Sequence, residues 1–378
     1  MTLLDLLEKA RRISRRPYEH LLSRPAVGRG YLGYNCLFVP EETMHAAGYA
    51  PVRMFGKCCG ADVSEKYVPS QCCDPVKNLL SSLDQGVFGF LDGAVFGYCC
   101  DTLQVASSIL KERNPLEVFQ VNVPTRFDGE LALDYLAEEI RRFGEDLQAR
   151  LGARIDRQDL EKSVDVYREN RELLMRLKRS RKARPQALSA SDFLAVSQMG
   201  CFVPKEEHNG FLREILEKLA EEGEVSEGSA PREAGRVMIS GFLDGDLELL
   251  RRMEELGVTI VDDDLCEGSR GYEGVLPATE GEGPARRIAR RILSLYCPVK
   301  SLGEEEYAKR LIAKYRESDA QGIVFLLFRF CDPQYMEYAS AKLALREEGI
   351  PFVVLEPVTR DGRFAQMETR LEAFLESL

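Results

Sequence analysis

Several absences narrow the chemistry before any motif is considered. The 378 residues include only three histidines, His20, His45 and His208, too few for a histidine-rich metal centre. No two cysteines are spaced C-x-x-C, so the paired knuckles of a zinc site are missing. No Gly-Lys-Ser/Thr triplet occurs, and with it goes a Walker-type phosphate loop. Basic residues are in deficit: 51 Lys+Arg against 62 Asp+Glu, a net charge of −11. That balance argues against nucleic acid or an anionic membrane surface as a partner. The strongest apolar run, Ile323 to Phe328, is strand-sized and falls far short of the roughly 18 residues of a membrane span. Asp5 and Glu8 interrupt the stretch where a secretory signal needs unbroken apolar sequence. The expectation is a cytoplasmic protein.

What is present is cysteine. Eleven occur, at 36, 58, 59, 72, 73, 99, 100, 201, 266, 297 and 331, a share well below the roughly 8–10% of disulfide scaffolds. Without an export signal, the expected roles are metal binding, redox catalysis or apolar packing. Abundant soft thiolate and scarce imidazole favour an iron–sulfur centre over zinc or a hard cation.

The length suits two domains, and 44% hydrophobic with 30% charged residues is enough to bury real cores. Leu3, Leu4, Leu7 and Ala10 repeat at helical spacing within residues 1–23. Short apolar runs then alternate with helical stretches, the pattern of a parallel sheet with crossover helices. Expected strands are Tyr31–Leu37, Pro51–Phe55, Ala94–Tyr98 and Val118–Val121, then Val237–Ser240, Val258–Val261, Ile323–Phe328 and Phe352–Leu355. Between the sets lie a charged helical stretch, from about 129 to 183, and an acidic exposed connection over 221–233. The fold class is therefore α/β, with two Rossmann-like, doubly wound, mainly parallel lobes joined by a helical segment. The expected division is 1–128 for an N-terminal helix plus first lobe, 129–232 for the helical connection, and 233–378 for the second lobe.

Ligands of open parallel sheets bind beyond the carboxyl ends of the strands, where the strand order reverses. Cys36, Cys100 and Cys331 each lie within or just after an apolar run, Cys266 closely follows another, and Cys73 and Cys297 sit in loops before Pro75 and Pro298. Each taken alone is more often a small buried apolar residue. Six at such positions together point to metal. Cys201 lacks a partner pattern and is expected to pack. For Cys58, Cys59, Cys72 and Cys99 the choice stays open, although neighbours in extended chain point apart, so one of each pair is expected to ligate. Gly28-Arg-Gly30-Tyr-Leu-Gly33 matches G-x-G-x-x-G but precedes its apolar run instead of following it, so nucleotide binding there is not expected. His45 is expected to be a solvated or packed histidine sooner than a proton donor near Cys36. Asp101 and Asp332 are expected to cap helices.

Gly33-Tyr-Asn-Cys-Leu-Phe-Val-Pro-Glu-Glu42, Ala46-Ala-Gly-Tyr-Ala-Pro-Val52, Tyr67-Val-Pro-Ser-Gln-Cys-Cys73, Phe90-Leu-Asp-Gly-Ala-Val-Phe with Cys100-Asp101, Phe330-Cys331 and Gln366-Met-Glu-Thr-Arg370 resemble the 2-hydroxyacyl-CoA dehydratase/benzoyl-CoA reductase family almost end to end. The resemblance implies two Rossmann-like lobes and an oxygen-sensitive [4Fe–4S] cluster on Cys73, Cys100 and Cys331. It also implies low-potential electrons from a separate ATP-hydrolysing iron–sulfur activator. Dehydratase subunits usually carry Ser or Thr at the place of Cys36 and lack counterparts of Cys266 and Cys297. The extra three resemble the double-cubane cluster branch, in which six cysteines of each chain of a homodimer hold two cubanes joined by a sulfide, an [8Fe-9S] group that reduces small molecules. By that resemblance Cys36, Cys266 and Cys297 hold the second cubane. The alternative is a single [4Fe–4S] in a dehydratase or benzoyl-CoA-type reductase subunit.

Overall fold

The computed structural model describes residues 1–25, 27–56, 65–113, 116–183, 187–221, 235–273, 281–295, 297, 304–357 and 364–378. Apolar runs pair as two four-stranded sheets, parallel throughout. Strands β1 (Gly30–Tyr34), β2 (Tyr49–Arg53), β3 (Gly93–Tyr98) and β4 (Glu117–Asn122) lie in the order β2-β1-β3-β4. Strands β5 (Arg236–Gly241), β6 (Thr259–Leu265), β7 (Gly322–Leu326) and β8 (Phe352–Leu355) repeat the same permutation, β6-β5-β7-β8. Residues such as Val95, Phe96, Ile239 and Val324 are fully enclosed, as expected of strands with helices on both faces. In each sheet the chain steps outward one way from the first strand and then crosses to its other side. The loops after β1 and β3, and after β5 and β7, therefore flank a crevice.

All eight expected strands are present, with two instructive shifts at their ends. β1 stops at Tyr34, leaving Cys36 in a turn closed by the Val39 amide on the Cys36 carbonyl (3.1 Å). β6 runs on through Asp262, Asp263 and Asp264, three buried carboxylates. Each has its own partner: Lys178 for Asp262 (2.6 Å), the Ser269 amide for Asp263 (2.7 Å) and Arg270 for Asp264 (2.7 Å). Pairing of this kind is what lets charge sit inside a sheet.

The N-terminal helical stretch forms two helices, Leu3–Arg15 and Pro17–Leu22, broken where Pro17 starts the second. Long helices Glu130–Leu151 and Arg157–Ala183 follow the first sheet, then Ala190–Met199 and Lys205–Glu221. Of the expected acidic connection, residues 222–233 lie outside the described residues. Helix Pro284–Ser294, from the second half of the chain, packs its Ile288, Ala289 and Ile292 into one apolar cluster with Cys36, Leu136, Ile140 and Cys297. That contact brings the two halves together beside the crevice. No helix among the described residues is long and apolar enough to cross a membrane.

Gly241 closes β5 at φ +137°, and a Cβ there would stand 2.1 Å from the Leu326 carbonyl oxygen. Only glycine lets the chain turn from β5 toward the crevice while keeping β7 adjacent. The G-x-G-x-x-G segment forms a turn and β1 itself, with no helix opening from it.

Candidate functional site

The carboxyl ends of the two sheets face one another across a cavity of about 130 Å³. Its wall includes Cys36, Cys73, Cys99, Cys100, Cys266, Cys297 and Cys331, with Arg53, Phe55, Phe242, Asp244, Arg270 and Gln334. All six cysteines expected from the sequence thus line one cavity, three from each side of the seam apart from Cys99. Cys72 is buried next to Cys73 but does not line the cavity, and Cys58 and Cys59 lie outside the described residues.

Cys73, Cys100 and Cys331 share a local device. Each directly precedes the first residue of a helix: Asp74–Asp84, Asp101–Arg113 and Asp332–Glu347. Each sulfur accepts an amide from the first turn that follows, Val76 for Cys73, Leu103 and Thr102 for Cys100, and Gln334 for Cys331. A helix N-terminus supplies unpaired N–H groups and positive potential, which favours an anionic sulfur. For the helices after Cys73 and Cys331 the capping position belongs to the cysteine itself, so Asp332 is the first helical residue and not the expected cap. The backbone before Cys331 is held in an unusual state. Phe330 has φ +60°, a conformation that bulky side chains avoid.

Cys36 and Cys266 do not directly precede a helix, and the residues that follow Cys297 lie outside the described ones. Cys36 occupies the turn after β1, Cys266 follows β6, and Cys297 follows helix Pro284–Ser294. Cys36 draws on side chains and backbone together, and Cys266 on the Arg53 side chain. Cys99 donates its S–H to Cys36, and the Arg53 guanidinium and the Phe38 and Leu37 amides add to it, so the Cys36 thiol falls to about 7 despite complete burial. Burial raises Cys266, opposed by Arg53. The Arg53 Nη2 stands 3.5 Å from the Cys266 sulfur, and its guanidinium stacks on Tyr34 and Phe55 at 5.4 and 5.5 Å.

Arg53 is 4% exposed, and among the described residues no carboxylate reaches ion-pair distance of it. Burial penalises its charge, and the groups offsetting that penalty are Cys266, Tyr34, Cys36 and Cys201. An interior cation requires an anion beside it, since the effective penalty for a buried unpaired ion is several kcal/mol. Among the described residues the groups within reach of its charge are these sulfurs and the Tyr34 phenol, together with the Asp244 and Glu267 carboxyls, which burial raises. Arg53 was hard to foresee: an arginine ending an apolar strand, just before Met54 and Phe55, looks like an ordinary surface boundary.

The remaining thiols sort by direction. Cys99, donor to Cys36 and Cys100, is pushed well up and stays a thiol, while Cys100 is lowered by that same bond. Cys73 donates to Cys72, which raises Cys73 and lowers Cys72. Burial takes Cys331 up to about 12. The mutual influences also divide. Cys331 feels the charge of Cys100 and Cys72, and Cys73 that of Cys331, whereas Cys266 feels Cys297 and Cys36; Cys36 and Cys100 also interact. Cys201 is partly buried beside Tyr34, away from this wall. His45 contacts Ser163 (2.5 Å) and Glu206 (3.1 Å) and packs on Tyr167, also away from the cavity.

Among the described residues no three His, Cys, Asp or Glu side chains converge on a point suited to one metal ion. A cubane asks for something else, one thiolate per iron, so its ligands stand around the group. The donor set fits such a group: soft sulfurs, helix N-termini, a buried cation and few competing oxygens. The space is well under the roughly 300–1,000 Å³ of ordinary organic-ligand pockets, so it suits a compact inorganic group and cannot enclose a whole CoA thioester.

Fold and cleft together define a class: twin parallel α/β lobes with a thiol-lined seam. The chain belongs to the family described as 2-hydroxyglutaryl-CoA dehydratase, D-component, whose model matches residues 36–378. It is similar to the lactoyl-CoA dehydratase subunit beta of Anaerotignum propionicum, 29% identical over 355 residues, covering 93% of this chain and 92% of that one. The (R)-2-hydroxyglutaryl-CoA dehydratase subunit beta of Acidaminococcus fermentans is 27% identical over 394 aligned positions, covering 100% of both. A benzoyl-CoA reductase subunit of Thauera aromatica is 26% identical over 358, covering 93% of this chain and 91% of that one. These relatives are named as dehydratase and reductase subunits.

Proposed function

We propose that the chain is an iron–sulfur reductase whose seam holds a double-cubane [8Fe-9S] group, with Cys73, Cys100 and Cys331 on one cubane and Cys36, Cys266 and Cys297 on the other. The observation that carries this reading is the arrival of all six thiols at one small cavity. When bound, such a group supplies low-potential one-electron chemistry and can store more than one electron. The chain's own contributions are physical. Helix N-termini favour anionic sulfur at Cys73, Cys100 and Cys331. Arg53 offsets the negative charge near Cys36 and Cys266, and the aromatic wall of Phe55 and Phe242 excludes water. Electrons come in this reading from an ATP-hydrolysing [4Fe–4S] activator, and the working unit is a homodimer.

The alternative is a single [4Fe–4S] on Cys73, Cys100 and Cys331, in one subunit of a dehydratase or benzoyl-CoA-type reductase. Its support is that the relatives are named as subunits of such enzymes. Iron and acid-labile sulfide on anaerobically prepared protein separate the two. The double cubane gives about eight irons per chain and the single cubane about four. Colourless, iron-free protein overturns both.

A further inference from the structure

Among the described residues the wall of the cysteine cavity carries one carboxyl, Asp244. It stands in the turn that leaves β5 after Gly241, and several groups hold it there. Asp244 has φ +53° and Gly245 φ +80°, in the left-handed region that Asp enters more readily than bulkier residues. The Leu243 and Gly245 amides, one on each side of Asp244, both donate to the Glu267 carboxylate, at 3.2 and 3.4 Å. That clamp fixes the turn.

The two oxygens of Asp244 differ. Oδ2 accepts from Asn78 Nδ2 at 3.1 Å, and Asn78 lies on helix Asp74–Asp84, directly after Cys73. Oδ1 has no hydrogen-bond partner among the described residues, yet it keeps accessible surface. Because Asp244 lines the cysteine cavity, that surface opens on it. Burial holds the carboxyl well above the ordinary range; Asn78 and Arg53 oppose the shift, and the Glu267 and Asp246 carboxyls add to it. The Tyr18 phenol nearby is itself raised by burial and stays neutral. Asp244 is thus a neutral acid at a face of the seam where water is scarce.

We propose that Asp244 is the proton donor to the substrate at the cysteine cavity, a role that rests on the reductase reading above. In the two-electron reduction of an X=Y bond, the low-potential donor supplies both electrons and Asp244 the first proton: its O–H bond breaks as the X–H bond forms. Asn78 holds the carboxylate left behind, and Arg53 balances its charge. Two residues on, Asp246 is exposed in an outer cleft of about 200 Å³, lined also by Gly245 and Ser14. Solvent therefore stands within about 7 Å of chain from Asp244. Water in that cleft returns a proton to Asp244, and the second transfer forms the Y–H bond by the same route, so two electrons are matched by two protons.

The test compares wild type with Asp244→Asn, which keeps an acceptor for Asn78 and suits φ +53°. In metal-free protein at pH 7, the infrared difference between the two shows the carbonyl stretch of a neutral carboxylic acid, shifted in D2O. In iron-loaded protein, a europium(II) chelate serves as one-electron reductant and acetylene as the probe, read as ethylene. Iron and sulfide per chain are the same in both proteins, and the ethylene rate of Asp244→Asn is lower by about a hundredfold or more, the usual contribution of a positioned acid. Should Asp244→Asn not fold, Asp244→Gly, at ease with the same φ, carries the comparison. Absence of the carbonyl band overturns the proposal, and so does an unchanged ethylene rate in the iron-replete variant. Wild type that holds no iron, or holds it and forms no ethylene, overturns the reductase reading itself and the role of Asp244 with it.

Discussion

Cys73, Cys100 and Cys331 each stand directly before a helix, whereas Cys36 and Cys266 lie within reach of the Arg53 guanidinium. The first three stand before helices and draw on amides that any sequence in that conformation would offer. Cys36 and Cys266 add the Arg53 guanidinium, and Cys36 shares the Cys99 S–H with Cys100. Backbone devices survive most substitutions; side-chain devices are lost with one residue. The comparison therefore teaches that the Cys36 side of the seam is where this chain's particular chemistry is encoded, and where single changes discriminate most.

The largest expected effect is at Arg53. With anionic sulfur beside it, Arg53→Met breaks a buried pair and lowers the stability of the iron-loaded protein by about 3–5 kcal/mol. In metal-free protein at pH 6, Cys36 is protonated and the carboxyls near the guanidinium, Asp244 and Glu267, are raised by burial, so the same substitution costs less. Denaturant melts of both forms check this, and equal losses in the two would show Arg53 to be ordinary packing.

Next comes Cys100 against Cys99. Cys100→Ala removes a proposed ligand and lowers iron content sharply, whereas Cys99→Ala keeps the iron and removes only a donor. Metal analysis of the two variants distinguishes them, and equal iron loss would place Cys99 among the ligands.

A smaller effect concerns pH. In metal-free protein the alkylation rate of Cys36 has its midpoint near pH 7, while that of Cys331 rises only toward about 12. Because the Cys36 value is depressed on folding, the stability it contributes is present above the unfolded thiol value of about 8.5 and is lost as pH falls through about 7. Mass spectrometry of alkylated peptides reads both midpoints, and coincident midpoints would show that Cys36 is not lowered by its neighbours. The smallest change expected is Cys99→Ala on that same profile: it removes the largest influence lowering Cys36, so the Cys36 midpoint moves upward.

Much of this architecture was legible from apolar runs, because strands enclosed on both faces must be continuous and apolar. The Asp262–Asp264 segment of β6 was not, since its carboxylates are acceptable only with Lys178, Arg270 and the Ser269 amide in place. The cysteines were legible as positions after strands. The capping role of Cys73 and Cys331 was hidden, although Cys-Asp-Pro at 73–75 and 331–333 is its trace. The burial of Arg53, Arg171 and Arg291 has no trace in the sequence, because burial of a charged residue is decided by tertiary neighbours and leaves no periodic mark.

The central claim is that both sets of thiols hold iron, and it is met most directly by iron and sulfide quantitation on Cys266→Ala beside Cys331→Ala, prepared anaerobically. The account predicts that each variant loses iron, down to about half of the wild-type content or less. Full wild-type iron and an unchanged spectrum in Cys266→Ala would contradict it and leave Cys266 as a packed thiol beside a single cubane.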